Sequence, residues 1–248
     1  MIRDLDSRDG PSLTAAAGLL GQSVPAGAAV PYTAARYDRY LAAMLAPPAH
    51  RRTALVRIVE SDGVVAGVAD WRLLSGAWFL NGLAVRADVR GRGLGRRLLT
   101  DGLERAAALG AATVALDVAC DNAGARGLYR RSGFVEAGVT CWHDCSADEG
   151  APAAAVRFTD WPVFRAGLAA YGFGDVSVDV PGGPAARVRV VGDVLRVLAA
   201  DVSRLPLRRL REELGLARGV AVRTDGAVHD RASCAALTFA RMHRPVGP

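Results

Sequence analysis

The chain has 248 residues, enough for one large or two modest domains. Half of it is apolar (51%), yet no apolar run approaches the roughly 18 to 20 residues that cross a bilayer. All 31 basic side chains are arginine, which excludes a Schiff-base lysine and a P-loop lysine. The net charge of +6 is dispersed: residues 1–159 carry 18 arginines against 16 acids and residues 160–248 carry 13 against 9, so no nucleic-acid face is expected.

The N-terminus, "MIRDLDSRDG", is charged from its third residue and lacks an apolar core. It predicts no signal peptide, no membrane association and a cytoplasmic protein. "PYTAARYDRYLAAMLAPPAH" has apolar and aromatic residues at helical spacing and predicts a helix stopping at Pro47-Pro48. "RTALVRIVE", "SDG" and "VVAGVADWRLL" read as strand, tight turn at Asp62-Gly63, and strand. "SGAWFLNGLAV" adds a strand after a turn at Ser75-Gly76.

In "VRADVRGRGLGRRLLTD" glycines and arginines lead into an amphipathic helix, with Leu94, Leu98, Leu99, Leu103 and Ala107 on one face and Gly110 as its stop. "ATVALDVA" reads as a buried strand, and "NAGARGLYRRSGF" as a short helix capped by Asn122 and ended by Gly133. "VEAGVTCWHDC" returns as a strand, the loop "SADEGAP" follows, and "AAAVRF" closes an α/β domain with a mixed sheet near residue 159. Beyond it, "WPVFRAGLAAYGF" and "PLRRLREELGLA" look helical, while "DVSVDV", "ARVRVV", "VLRVLAA" and "VAVRTDGA" look like strands. Residues 160–248 are therefore expected to form a small α+β accessory domain of unassigned role. A hairpin-like echo links "VRIVESDGVVAGVAD" with "VRVVGDVLRVLAAD", too short to define a repeat. Cys120, Cys141, Cys145 and Cys234 form no CxxC pair and predict buried thiols, with no metal site.

The glycine-arginine loop is the chief chemical signal. A dinucleotide fingerprint fails because Arg96 stands where the last glycine is needed, and a P-loop lacks its lysine. Glycines between a strand and a helix let backbone approach a ligand, and the helix N-terminus points unsatisfied amides at an anion. Arg90, Arg92, Arg96 and Arg97 add positive charge at the same place. These features together predict a pyrophosphate cradle.

The same residues resemble motif A of the GNAT N-acetyltransferases, R/Q-x-x-G-x-G/A, with Arg90, Gly93 and Gly95 at its defining positions. "LDVACDNAGARGLYRRSGF" resembles their motif B, with Asn122, Ala125, Leu128, Tyr129 and Gly133-Phe134 in place. The resemblance covers residues 1–159. It implies a mixed, splayed sheet flanked by helices, with two parallel strands parting to admit acetyl-CoA. Leu83, Ala84 and Val85 would face the pantetheine arm. The loop Arg90, Gly91, Arg92, Gly93, Leu94, Gly95, Arg96 and Arg97 would take the pyrophosphate, with Asn122 and Ala125 beside it.

Tyr129 matches the family's general acid, a phenol able to protonate the departing thiolate. The strand "AWFLNGLAV" has no acid, so the glutamate base of many relatives is absent. Asp117 lies twelve residues before Tyr129, the spacing of a branch that acetylates ribosomal-protein N-termini, and is the first candidate base. His143 is the second. The expected activity is direct acetyl transfer from acetyl-CoA to a primary amine of a peptide N-terminus, an antibiotic or a metabolite, with homodimerisation open. A CoA-binding sensor or scaffold and a different acyl donor are the alternatives.

Overall fold

The computed structural model describes residues 1–74, 77–147, 155–181, 186–198, 205–225 and 237–246. The expected Ser75-Gly76 turn, most of the loop at 146–152 and Cys234 lie outside them. The first half of the chain runs β1 (Ile2–Asp4), α1 (Gly10–Gln22), α2 (Tyr37–Leu45), β2 (Ala54–Ser61), β3 (Val64–Leu74), β4 (Ala77–Val85), α3 (Leu94–Ala108), β5 (Thr113–Ala119), α4 (Ala123–Arg131) and β6 (Val135–Asp144). The second runs β7 (Arg157–Phe158), α5 (Trp161–Tyr171), β8 (Phe173–Asp179), β9 (Ala186–Val191), β10 (Val194–Leu198), α6 (Leu207–Leu214), β11 (Arg218–Asp225) and β12 (Leu237–Pro245). Among the described residues no helix is long and apolar enough to cross a membrane.

Local chemistry accounts for the boundaries. Asp9 caps α1 by accepting from the Ser12 amide at 3.1 Å, with proline in the first turn. Asp62 (φ 55°) and Gly63 (φ 76°) make the tight β2–β3 turn with both residues left-handed, as the Asp-Gly pair predicts. α2 stops at Leu45, two residues before Pro47, and a short 3-10 turn at Pro31–Thr33 replaces the start of the longer expected helix.

The chain divides into two compact units. One comprises Met1–Pro25, Asp38–Ala137 and Ala240–Pro248, the other Ala26–Tyr37 and Gly138–Phe239. Each unit is drawn from more than one stretch of the chain. Strand pairing explains why, because backbone hydrogen bonds place β6 beside β11 and the C-terminal β12 beside β5.

The strand order is β1-β2-β3-β4-β5-β12 in the first unit and β7-β8-β9-β10-β11-β6 in the second. Adding six to each strand of β1–β5 converts one order into the other, and the sixth strand of each half is exchanged. Pairing follows the same rule: the first four strands of each half are antiparallel neighbours, and β4–β5 and β10–β11 are parallel. The architecture is thus a topological duplication. The sequence echo is not its trace, since it matches β2–β3 to β9–β10, whereas topology matches β3–β4 to β9–β10.

In the first unit α3 packs Leu98, Leu99, Leu103 and Ala106 against the sheet. Ala106 takes the core position expected of Ala107, because Gly102 turns the buried face toward the fully buried Trp71. A Cβ on Gly102 would come within 2.1 Å of that indole. Buried Arg57 fastens the same helix to β2 through two bonds to Asp101, at 2.7 and 2.9 Å. The second unit has its own core around Phe164, Val176, Val188, Leu195 and Leu210. Cys120 and Cys145 are free thiols as expected, but Cys141 is disulfide-bonded, correcting the all-thiol expectation.

Candidate active site

β4 pairs with β5 only at Trp78–Val114, Phe79–Ala115 and Leu80–Leu116. On its other edge β4 stays paired with β3 as far as Val85–Gly67. From Asn81 and Asp117 onward the two parallel strands therefore part. A β-bulge marks the same point: Asn81 is the extra residue between the Trp71–Leu80 and Asp70–Gly82 pairs. Its amide donates to the Asp70 Oδ2 at 2.9 Å, and Arg72 donates to the same oxygen at 2.7 Å. Asp70 is wholly buried, so a charged anchor pins the strand where the sheet opens.

Beyond the fork lies a cavity of about 1200 Å³. Leu83, Ala84 and Val85 form one wall, and Gly91, Gly93, Leu94, Gly95 and Arg96 form the next. Gly91 (φ 79°) and Gly93 (φ 76°) are left-handed, a conformation that side chains with a Cβ disfavour. Gly93 is the N-cap of α3 and supplies no side-chain bond, so the first amides of a 15-residue helix face the cavity uncapped. Arg90 also lines the cavity, and its Nε donates to the Val85 carbonyl at 3.0 Å. Arg92 and Arg97 are exposed residues outside this lining.

The remaining wall is α4. Asn122 caps it by accepting from the Ala125 amide at 3.0 Å, and both residues line the cavity. Tyr129 projects from the same helix, 6% exposed, edge-on to Phe134 with ring centroids 5.9 Å apart. Burial pushes its phenol far above the ordinary value, so it stays neutral and keeps its proton. Glu136 steadies the helix by accepting from Arg126 and Arg130, each at 2.7 Å, and these bonds, Arg126 first, hold its carboxyl below the usual range. The cavity thus joins uncapped amides suited to an anion, an open strand edge suited to an amide-bearing chain, and a neutral phenol.

The two candidate bases fall elsewhere. Asp117 stands at the fork but on the other sheet face from Leu116 and Val118, which pack in the core with Tyr129. Arg241 of β12 grips it with Nε on Oδ1 and with Nη2 on Oδ2 at 2.9 Å. His143 belongs to the second unit, where it pairs with Ala221 of β11, and is not part of the cavity wall. Among the described residues no group of three or more His, Cys, Asp or Glu is placed to hold a metal.

Gln22, Ser23, Arg131 and Ser132 line the cavity without having been singled out in the sequence. Arg131 and Ser132 occupy unspecified positions of Y-x-x-x-G-F, while Gln22 and Ser23 at the end of α1 lie in no motif. Arg241 carried no signal at all, being 124 residues from its partner.

In the first unit a parallel pair of strands thus forks over a glycine-led helix N-terminus. Residues 23–134 match the family described as "Acetyltransferase (GNAT) family". A mycothiol acetyltransferase from Clavibacter michiganensis subsp. michiganensis (strain NCPPB 382) is 41% identical over 80 residues, 32% of this chain and 26% of that protein. The chain thus matches about a quarter of that relative's length. Two solved structures share the fold along the whole chain. A tandem GNAT protein from the clavulanic acid biosynthesis pathway has TM-score 0.68 and 14% identity over 99% of its own chain. A GCN5-related N-acetyltransferase from Sphaerobacter thermophilus has TM-score 0.64 and 13% identity over 96%.

Proposed function

We propose that this protein transfers the acetyl group of acetyl-CoA to a primary amine within a ternary complex, without a covalent enzyme intermediate. The observation that carries this reading is the meeting, in one cavity, of the uncapped α3 N-terminus, the open edge of β4 and the neutral Tyr129 phenol. In this reading the α3 amides, with Arg90 and Arg96, take the pyrophosphate. The backbone from Leu83 to Val85 takes the pantetheine arm, which carries the thioester toward the fork. The amine nitrogen attacks the thioester carbon, a C–N bond forms, and the C–S bond breaks with its electron pair going to sulfur. Tyr129 protonates the sulfur, and Asp117, rather than His143, receives the proton that the nitrogen releases.

The second unit is proposed as an accessory half without a donor site of its own. Its β10–α6 connection has no glycine anywhere from Val194 to Leu214. Release of free thiol from acetyl-CoA in the presence of an amine panel tests the reading. Amine-dependent release that falls about 100-fold in Tyr129→Phe, with acetyl-CoA affinity unchanged, is the expected result. Tight acetyl-CoA binding with no thiol release for any amine would support a CoA-binding module instead, and faster turnover of longer acyl-CoAs would replace the donor.

A further inference from the structure

We propose that the Asp117–Arg241 pair is the acceptor subsite, and that it selects an amine carrying a carboxylate on the same small molecule, such as a free amino acid. This rests on the acyl-transfer reading above and specifies the acceptor.

The pair stands at the branching point of the sheet. Asp117 is the first β5 residue past the last β4–β5 pair, Leu80–Leu116. The Arg241 guanidinium binds both carboxylate oxygens and also lies 5.3 Å from the centroid of the Phe79 ring on β4. One cation therefore reaches from β5 to β4 just where the two strands begin to part.

The pair is also built to exchange partners. The side chains of Arg241 and Asp117 remain 45% and 31% exposed, so an incoming ligand can reach both charges. Separating them costs little, provided each charge receives a replacement. A single ligand with an ammonium and a carboxylate a few bonds apart supplies both at once. Its ammonium takes the Asp117 oxygens and its carboxylate takes the planar edge of Arg241, in the bidentate geometry that guanidinium favours. Contact with Phe79 holds the guanidinium in place once Asp117 has let go. The ammonium first gives one proton to water, which leaves a neutral amine at the fork, and the second proton passes to Asp117 as the C–N bond forms. A peptide N-terminus, whose nearest carbonyl is an amide, leaves Arg241 without its anion, so it is the disfavoured acceptor.

The test compares matched acceptors on the full-length protein: amino acids, their carboxamides, and the corresponding decarboxylated amines. Thiol release gives kcat/KM, and calorimetry with CoA-loaded protein gives binding of the same compounds without turnover. The wild type is expected to favour the acid over its amide by about 30-fold, the range of a charge-assisted bond lost from a site. In Arg241→Gln the acid-to-amide ratio should collapse to about 3-fold or less, and Arg241→Lys should restore part of it. Acetyl-CoA affinity should be unchanged in both variants, which also certifies that they are folded. Equal use of acid and amide by the wild type, or an equal loss for both in Arg241→Gln, overturns the proposal. Carboxylate-dependent binding without thiol release upholds the subsite and defeats the acyl-transfer reading, whereas neither binding nor turnover dependent on the carboxylate defeats the subsite alone.

Discussion

The two units share one strand order and one pattern of parallel and antiparallel pairing, yet their central helices begin in different ways. α3 follows β4 through Gly91 and Gly93, both left-handed, and opens with amides that no side chain caps. α6 follows β10 and has Pro206 at its N-cap, with eight residues against fifteen for α3. A proline fixes φ where α3 uses a left-handed glycine, and no glycine precedes it in the connection. Strand pairing thus builds the same scaffold twice, while the two helices open on different residues. The difference teaches that in this protein the strand topology and the proposed donor site are separable properties.

The largest expected effect comes from breaking the exchange of final strands. Deleting residues 237–248 removes β12 from beside β5 and takes Arg241 with it. Circular dichroism and calorimetry should show loss of cooperative unfolding and of CoA binding, and fragment 1–159 should behave likewise. Either protein folding and binding like the full chain would show that the first unit is complete without its borrowed strand.

Next in size is Gly102→Ala, which drives a methyl into Trp71 and should cost about 3 kcal/mol by denaturant unfolding. Gly174→Ala in the second unit meets Phe164 at 2.9 Å and should cost less, since the overlap is smaller. The pair compares how tightly each half is packed. For the donor site, Gly93→Asp replaces a left-handed glycine with an acid at the anion cradle and should weaken CoA binding by about 100-fold. Calorimetry should also return one CoA per wild-type chain. Two would erase the functional distinction between the halves.

The smallest effect concerns Glu136. Its carboxyl is held low by Arg126 and then Arg130, so its stabilisation is present above the unfolded value near 4.3 and is lost as pH falls through the depressed folded value. Glu136→Gln should cost about 1 kcal/mol or less at neutral pH. Melting temperatures of the two proteins should converge in acid, and a constant gap down to pH 2 would mean that the carboxylate charge is not the source. Tyr129 has the opposite sign. Its raised value means that stability falls as pH rises above about 10, where the unfolded phenol ionises and the buried one does not.

Much of the donor side was legible in the chain because its signals are local. Gly91 and Gly93 adopt the positive φ that only glycine takes easily, Asn122 caps α4 within three residues, and Tyr129 falls at helical spacing from that cap. The Asp62-Gly63 turn and the stop of α2 before Pro47 are local in the same way. β1, α1 and β12 were not foreseen: β1 has three residues, and β12 acquires its place only by hydrogen bonding to strands distant in sequence. The compact units interleave along the chain for the same reason, since a boundary drawn along the sequence cannot follow two exchanged strands.

By itself, then, the amino-acid sequence determined the glycine-led helix start, the capped tyrosine helix and the likeness of residues 23–134 to an acetyltransferase family, all written in short-range backbone chemistry. Only the tertiary structure decided that Asp117 stands paired with Arg241, that the bulge at Asn81 is pinned by buried Asp70, and that the second half repeats the first. These depend on register between strands, which is set by the packing of the whole sheet and not by any neighbourhood along the chain.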